Sequence, residues 1–247
     1  MFSILSFVKI IHTFNLIHTD RFTIIIFEVL KMTIFEYGDP AASAVLIQPA
    51  DEHDLSMIES EIKEIERSTE DPFRLIAVRI DDWNSDLSPW EAPAVFGNDN
   101  FGSGAAATLE KVLKLCEDRT KTYIIGGYSL AGLFALWTAY QTDAFAGVAA
   151  ASPSVWFPGF TDYMKAGEIK TRAVYLSLGD KEAKTRNPVM ATVADCITEA
   201  CELLKEKKIR CTLEWNSGNH FKEPDLRTAK AFAWVLKNFM SQDPQNL

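Results

Sequence analysis

From Met32 onward, short runs rich in apolar, β-forming residues alternate with longer stretches in which apolar residues recur every three to four positions. The short runs predict strands and the longer stretches predict amphipathic helices. The predicted strands are TIFEYG, SAVLIQP, FRLIAVRI, TYIIGG, FAGVAAAS, AVYLSLG and IRCTLEW. Strands that alternate with helices are typical of a doubly wound, mostly parallel sheet with helices on both faces, so we predict one α/β domain.

The predicted helices lie between these strands. Asp54 is a candidate cap for the first, whose apolar face would carry Leu55, Ile58, Ile62 and Ile65. The stretches AAATLEKVLKLCED and LAGLFALWTAY predict two more, and another is expected to start near Pro188. LRTAKAFAWVLKNF predicts the closing helix.

Two loop regions bear on function. Residues 82–104 form a long segment without periodicity, and such segments in compact domains are more often functional than idle. By contrast, only about 20 residues separate the strand that ends near Ser152 from the strand that begins near Ala173. No large cap domain fits there, so we expect an open site.

The first 31 residues are apolar but interrupted by charged residues such as Lys9, Asp20 and Arg21. Their longest uncharged run is shorter than the roughly 20 residues that span a bilayer, and no small-residue cleavage site follows an apolar core. Because the strand pattern begins at Met32, we hypothesise that translation starts there and that the domain covers residues 32–247. The alternative is a native extension that packs on the domain or contacts a membrane.

Composition narrows the classes of partner. The 247 residues are 47% hydrophobic, as expected of a globular domain, and 25 basic against 34 acidic residues give a net charge of -9. This charge disfavours nucleic acid and anionic membranes and favours a small neutral or cationic substrate. The cysteines show no CxxC pair, which predicts reduced, mostly buried thiols and a cytoplasmic location; they are Cys116, Cys196, Cys201 and Cys211.

The segment TYIIGGYSLAGLFALW places Ser129 between a predicted buried strand and an apolar helix. This is the context of a nucleophile elbow, where a strained turn requires small residues two positions away on either side. Gly127 and Ala131 meet that requirement, and the N–H of Leu130 is placed to stabilise an oxyanion. A strand-to-helix turn with an incidental serine is the alternative.

The partners of a serine nucleophile follow in the expected order. In this fold the acid and then the histidine come after the serine, each on a loop that follows a later strand. Asp180 and Glu182 follow the strand AVYLSLG, and His220 follows the last strand. A surface-loop histidine is the alternative interpretation of His220.

The segments GGYSLAG, SPSVWF, SLGDKE and SGNHF resemble an esterase group within the α/β-hydrolases, which includes esterase D, siderophore esterases and the mycolyl-transferring antigen 85 proteins. The resemblance covers about Leu46 to Phe239. It implies hydrolysis of an ester or thioester through an acyl-serine intermediate, without metal or organic cofactor. Ala131 stands where these families more often have glycine, but the position requires smallness only.

The choice of acid depends on spacing. In many α/β-hydrolases the acid stands three residues after the glycine that ends the strand, and from Gly179 this spacing reaches Glu182. Asp180 follows the strand directly, where its side chain is suited to fixing the turn. We therefore favour Glu182, with Asp180 as the alternative.

The rest of the site is expected on other loops. In IQPADEHD, Pro49 has no N–H, so the second oxyanion donor is expected to be the backbone amide of Ala50 or Asp51. His53 lines the pocket or makes a local bond at the helix start. The loop tryptophans either form an apolar pocket or pack against the sheet; they are Trp83, Trp90 and Trp156.

The sequence therefore favours hydrolysis of a small ester by a serine nucleophile. An acyltransferase with the same three residues is an alternative, because an alcohol can intercept the acyl-enzyme in place of water. A non-catalytic binding protein that retains the fold is a second alternative, because fold alone does not establish function.

Overall fold

The computed structural model describes residues 14–18, 23–27 and 32–240. Across these residues the chain forms nine strands and seven helices. The strands are β1 (Phe14–His18), β2 (Thr23–Phe27), β3 (Met32–Gly38), β4 (Ala44–Ala50), β5 (Phe73–Arg79), β6 (Thr122–Tyr128), β7 (Phe145–Ala151), β8 (Ala173–Gly179) and β9 (Arg210–Asn216). The helices are α1 (Glu52–Ser68), α2 (Trp83–Asp86), α3 (Ala105–Leu113), α4 (Leu130–Gln141), α5 (Phe160–Ala166), α6 (Val193–Glu206) and α7 (Pro224–Met240).

All of these strands belong to one sheet with the order β1-β2-β3-β5-β4-β6-β7-β8-β9. Six neighbouring strands of the sheet run parallel, whereas β1, β2 and β3 form an antiparallel edge. The parallel strands are β5, β4, β6, β7, β8 and β9. The predicted mostly parallel sheet is thus confirmed. The strands β1 and β2 lie in the segment that the sequence placed outside the domain, and the start at Met32 stays a prediction.

The central strands are buried on both faces because successive side chains enter different cores. Val45 and Ile47 of β4 belong to the same hydrophobic core as buried residues of α3, α4 and α6, while Leu46 between them belongs to the core with buried residues of α1 and α7. Helix α4 is apolar on all sides, and its residues from Leu130 to Tyr140 are buried. The helices therefore cover both faces of the sheet, as predicted.

Several element ends differ from the prediction. The cap of α1 is Asp51, not Asp54: the Asp51 carboxylate accepts the Asp54 N–H at 2.8 Å, and Asp54 is the third residue of the helix. Helix α3 ends at Leu113 because the next turns tighten to bonds that span three residues. Near the predicted start at Pro188, the Asn187 carboxamide accepts the N–H groups of Val189 and Met190, and a 3-10 turn precedes α6.

The connection from β7 to β8 contains only the short helix α5, so no large cap domain is inserted there. The segment 82–104 contains α2 and one isolated bridge between Ala92 and Phe101. None of the described helices is long and apolar enough to cross a lipid bilayer. The four cysteines are free, but only Cys201 is buried; the other three are partly exposed, which corrects the expectation of mostly buried thiols.

Candidate active site

The candidate site lies where the central parallel strands end. The strand β6 leads into Ser129, β8 into the loop with Glu182, and β9 into the loop with His220. In open α/β sheets ligands bind in the crevice outside these carboxyl ends. Residues that are 91 positions apart in the sequence therefore meet at one edge of the sheet.

Ser129 occupies a sharp turn between β6 and α4, with φ 56° and ψ −117°. Its N–H donates to Ala151 at 3.1 Å, and its carbonyl accepts the Ser154 N–H at 3.0 Å, so the turn is fixed from the β7 side. A Cβ atom at Gly127 would lie 2.7 Å from the Ala131 Cβ atom, which no real packing tolerates. The two small residues are thus what permits the positive φ of Ser129.

The structure brings Ser129, His220 and Glu182 into one hydrogen-bonded chain. His220 Nε2 lies 3.0 Å from Ser129 Oγ, and His220 Nδ1 lies 2.7 Å from Glu182 Oε2. This arrangement fixes the imidazole with one nitrogen towards the hydroxyl and the other towards the carboxylate. It is the geometry in which a histidine removes a proton from a serine.

Asp180 has a different contact. Its carboxylate accepts the Gly218 N–H at 2.7 Å, while its own N–H donates to the Asn216 carbonyl at 2.8 Å. Both bonds join the loop after β8 to the loop after β9. Of the two candidate acids, the structure therefore places Glu182 against His220 and Asp180 in the turn.

The Glu182 side chain is only 4% exposed and its oxygen atoms have separate partners. While Oε2 contacts His220, Oε1 accepts bonds from Gly179 N–H at 2.7 Å, from Ser152 Oγ at 2.8 Å and from Arg227 Nη1 at 2.9 Å. Burial by itself raises the pKa of Glu182, but the bond and charge of His220, with the bonds from Gly179 and Ser152, lower it below the ordinary value. The carboxylate is consequently ionised near neutral pH.

Two further polar residues lie at the site although the sequence pattern did not predict them there. Arg227 on α7 is buried beside Glu182, and Tyr128, which precedes the serine, donates its hydroxyl to the His220 carbonyl at 2.7 Å. Arg227 had a signal: it falls on the same helical face as Ala231 and Val235, which are fully buried. A charged residue on such a face indicates a buried ion pair.

Ser154 places a second hydroxyl against Ser129. The two Oγ atoms are 3.2 Å apart, and Ser154 is 2% exposed. It belongs to the segment SPSVWF, whose first residue, Ser152, has a φ of 41°. A non-glycine residue with positive φ is uncommon and is often found at functional sites.

The expected oxyanion donors differ in position. Leu130 is the first residue of α4, so its N–H has no partner within the helix. Asp51 lines the pocket beside Ser129, and its N–H donates to the Asp54 carboxylate at 3.3 Å. Ala50 is the last residue of β4 and does not line that pocket.

The pocket at Ser129 has a volume of about 200 Å³. His53 and Trp83 line this pocket, which was one of the two alternatives predicted for each of them. The other lining residues are Asp51, Asp54, Tyr128, His220, Phe221 and Pro224. Phe221, which is 86% exposed, stands at the mouth beside His220. The wall is mainly aromatic and carries carboxylates at one side.

Trp90 and Trp156 do not line this pocket. They pack against other side chains of the protein, and packing was the alternative predicted for the loop tryptophans. Trp90 donates its Nε1–H to the Pro158 carbonyl at 2.9 Å and stacks near Phe160. Trp156 is 8% exposed and packs against Phe101. Each ring contacts residues of the other segment, so both rings pack between the segment 82–104 and the segment after β7.

A larger groove of about 1180 Å³ adjoins the pocket at Trp83, which lines both. The segment 81–102 forms this groove, and its lining includes Asp81, Asp82, Glu91 and Asp99. Among the described residues, none of the His, Cys, Asp and Glu side chains forms a group of three that could hold a metal ion.

Comparison with solved structures identifies the fold. An IroE-like serine hydrolase from Shewanella oneidensis superposes with a TM-score of 0.69 at 13% identity, over 94% of this chain and 82% of that chain. The chain has the α/β-hydrolase fold. The siderophore hydrolase EstA from Aspergillus nidulans gives a TM-score of 0.60 at 17% identity, over 85% of this chain and 91% of that chain.

The enterobactin esterase FES from Shigella flexneri also shares the fold, with a TM-score of 0.60 at 14% identity, over 92% of this chain and 59% of that chain. These neighbours are esterases and hydrolases of the α/β-hydrolase superfamily, but at such identities the likeness shows the fold alone. No protein-family model and no curated protein sequence matches the chain.

Proposed function

We propose that this chain is a serine hydrolase that cleaves the carboxylic ester or thioester of a small molecule through an acyl-serine intermediate. The observation that carries the proposal is the chain of contacts from Glu182 Oε2 through His220 to Ser129 Oγ, with distances of 2.7 and 3.0 Å. The hydrolase and esterase neighbours of the same fold support it.

In the acylation step, His220 Nε2 takes the proton of Ser129 while Oγ attacks the carbonyl carbon. The tetrahedral intermediate then expels the alcohol or thiol, which receives the proton from His220. In deacylation, His220 removes a proton from water, the hydroxide attacks the acyl carbon, and Ser129 Oγ leaves with the proton. The ionised Glu182 stabilises the imidazolium in both steps.

Ser154 takes part by donating a hydrogen bond to the nucleophile. Its hydroxyl is buried, and within the described residues Ser129 Oγ is its one hydrogen-bond partner. A buried donor has to be satisfied, so the proton of Ser154 points to Ser129 while Ser129 donates to His220. This bond stabilises negative charge on Oγ when the serine leaves during deacylation.

We assign the oxyanion of the tetrahedral intermediate to the N–H groups of Leu130 and Asp51. The first lies at the N-terminus of α4, where the helix dipole favours negative charge. The second borders the same pocket and is held by Asp54 through a long bond of 3.3 Å, which an oxyanion can replace. Ala50 is less suitable because it lies outside the pocket lining.

The pocket indicates the size and charge of the substrate. A volume of about 200 Å³ accommodates a short acyl or single-ring group against Trp83 and Phe221. The described lining contains Asp51 and Asp54 but neither lysine nor arginine, which favours a neutral or cationic substrate over an anionic one. A small-molecule ester is thus the proposed partner, and nucleic acid and membranes are not. The cysteine usage supports the cytoplasm as the proposed location.

The deciding experiment is labelling of the purified chain with a fluorophosphonate probe, together with turnover of nitrophenyl esters of increasing acyl length. We expect covalent labelling at Ser129, and loss of labelling in Ser129→Ala with turnover lowered about 10⁶-fold. The matched control is Ser56→Ala, at an exposed serine on α1, which should label like the wild type.

The other outcomes identify the alternative functions. A well-folded wild-type chain that does not label would contradict the proposal and favour a binding protein that retains the fold. Product analysis with added alcohol distinguishes the acyltransferase, because transfer yields a new ester where hydrolysis yields the free acid.

A further inference from the structure

Arg227 is a buried cation that contacts Glu182, the last of the three hydrogen-bonded residues Ser129, His220 and Glu182. Its side chain is 2% exposed, and its guanidinium donates to acceptors from four separate segments of the chain. These acceptors are Tyr128 Oη at 3.1 Å, Ser152 Oγ at 3.3 Å, Glu182 Oε1 at 2.9 Å, the Ser217 carbonyl at 3.3 Å and the Asn219 carbonyl at 3.1 Å.

Resting on the proposed function, we propose that Arg227 is a positioning residue of the hydrolase: it ties the Glu182 carboxylate to the loop that carries His220. The guanidinium thereby holds the acid and the base at bonding distance without touching the substrate.

The Glu182 carboxylate and the Arg227 guanidinium each use their two terminal atoms for different partners, and this links the acid to the His220 loop. Glu182 presents Oε2 to His220 and Oε1 to Arg227, so its two oxygens are used in different directions. Arg227 presents Nη1 to Glu182 and Nη2 to the carbonyls of Ser217 and Asn219, the latter directly before His220. A planar fork with fixed donors makes these bonds together, whereas the point charge of a lysine cannot.

Tyr128 closes the same network on its other side. Its hydroxyl accepts from Arg227 Nη1 and donates to the His220 carbonyl at 2.7 Å. The guanidinium therefore holds the backbone of the His220 loop directly at Ser217 and Asn219, and through the Tyr128 hydroxyl at His220. Because a buried charge is costly to keep, an apolar residue would suit this face of α7 if packing alone were required.

The positive charge of Arg227 also acts against protonation of the site. It lies 2.9 Å from Glu182 Oε1 and stabilises the ionised carboxylate, so Glu182 keeps its charge to lower pH. The other titratable groups around Arg227 and His220 are Asp51, His53, Asp54, Tyr128 and Tyr175, which stay the same in variants of Arg227. Removing the charge should therefore move the loss of activity in acid to higher pH.

The test measures the rate of fluorophosphonate labelling from pH 5 to 9, with thermal melting, for the wild type, Arg227→Lys and Arg227→Met. In Arg227→Met we expect the acid limb of the profile to move up by about one pH unit and the plateau to fall at least about tenfold. Arg227→Lys keeps the charge but loses the fork, so its plateau should fall while its acid limb stays near that of the wild type.

A matched control is Arg210→Met, which removes an exposed arginine whose partner is the Asn238 carbonyl, away from the site. Its profile should equal that of the wild type. The proposal is overturned if folded Arg227→Lys and Arg227→Met label with the rate and the acid limb of the wild type. The proposal is also overturned if Arg227→Met lowers the melting temperature but keeps the acid limb of the wild type, because that is the result expected of a purely structural arginine.

A third variant serves if neither substitution at Arg227 folds. Tyr128→Phe removes only the hydroxyl between Arg227 and the His220 carbonyl, and should slow labelling about fivefold with an unchanged limb. An unchanged rate would then overturn the proposal. Failure of the hydrolase assignment is distinct, because in that case the wild type itself does not label.

Discussion

Glu182 Oε2 lies 2.7 Å from His220 Nδ1, while Asp180, two residues earlier on the same loop, accepts the Gly218 N–H. The two carboxylates therefore have different predicted effects when each is neutralised. Glu182→Gln removes the charge that stabilises the imidazolium and should lower turnover by up to about 10⁴-fold. Asp180→Asn should retain turnover within about threefold, because its amide oxygen can still accept the Gly218 N–H.

Steady-state hydrolysis of one nitrophenyl ester by both purified variants checks this pair. A large loss in Asp180→Asn, with Glu182→Gln near the wild type, would reverse the assignment of the acid.

Stability should separate the same two variants. From the sequence alone, Glu182→Gln is expected to leave the melting temperature nearly unchanged, but the buried Arg227 alters that expectation. Without Glu182 its guanidinium keeps a buried charge that lacks an anionic partner, which costs about 3–5 kcal/mol in such pairs. Chemical denaturation should show this loss in Glu182→Gln and a much smaller one in Asp180→Asn. Equal stabilities would contradict the ion pair.

Asp54 should make the stability depend on pH. Burial, followed by the charge of Asp51, raises the pKa of Asp54 to about 6. Its value in the unfolded chain is near 3.9, so between pH 4 and 6 the folded state binds the proton more tightly. Stability should therefore fall as the pH rises through this window.

The variant Asp54→Asn stays neutral and can still accept the Asp51 N–H. It should be more stable than the wild type above pH 6, by about 1–2 kcal/mol, and equal to it below pH 4. Denaturant titrations at pH 4, 5, 6 and 7 measure the difference, with the exposed Asp99→Asn as the control. A difference that does not change with pH would show that Asp54 titrates normally.

The parts of this site that the sequence predicts are those encoded within one segment. The requirement for small residues around Ser129 is local, and the spacing from Gly179 to Glu182 lies within one loop. The strand pattern is local as well, and it predicts a mostly parallel sheet. It does not predict the order of the strands, in which β5 lies between β3 and β4.

The remaining contacts depend on how distant segments are placed side by side. Ser154 meets Ser129 only because β7 lies next to β6, and Arg227 reaches Tyr128 across 99 positions of sequence. The direction in which Trp90 and Trp156 point depends on how two distant loops lie against each other, because each ring packs on residues of the other loop. Propensity and spacing do not contain that information.

Gly179 should be essential for the junction of the two loops that carry Glu182 and His220. A Cβ atom at this position would lie 2.4 Å from the Gly218 carbonyl oxygen and 2.9 Å from Glu182 Oε1, so the loops would have to separate. We expect Gly179→Ala to lower turnover at least about tenfold and stability by about 1–3 kcal/mol. At Gly97 a Cβ atom meets nothing within 4 Å, so Gly97→Ala should retain full turnover and lose only the stability that a side chain costs at a positive φ. Wild-type kinetics in Gly179→Ala would show that the junction tolerates a side chain.

Deleting residues 1–31 should leave a folded and active hydrolase. The strands β1 and β2 join the sheet only through β3, at the edge farthest from β9, while the site lies at the ends of β4, β6, β7, β8 and β9. The deletion turns β3 into an edge strand, and we expect a lower melting temperature but the same labelling rate at Ser129. Melting and labelling of the two chains, compared at equal concentration, measure both effects. Loss of the cooperative transition in the shorter chain would show that β1 and β2 belong to the folding unit, and that the domain does not begin at Met32.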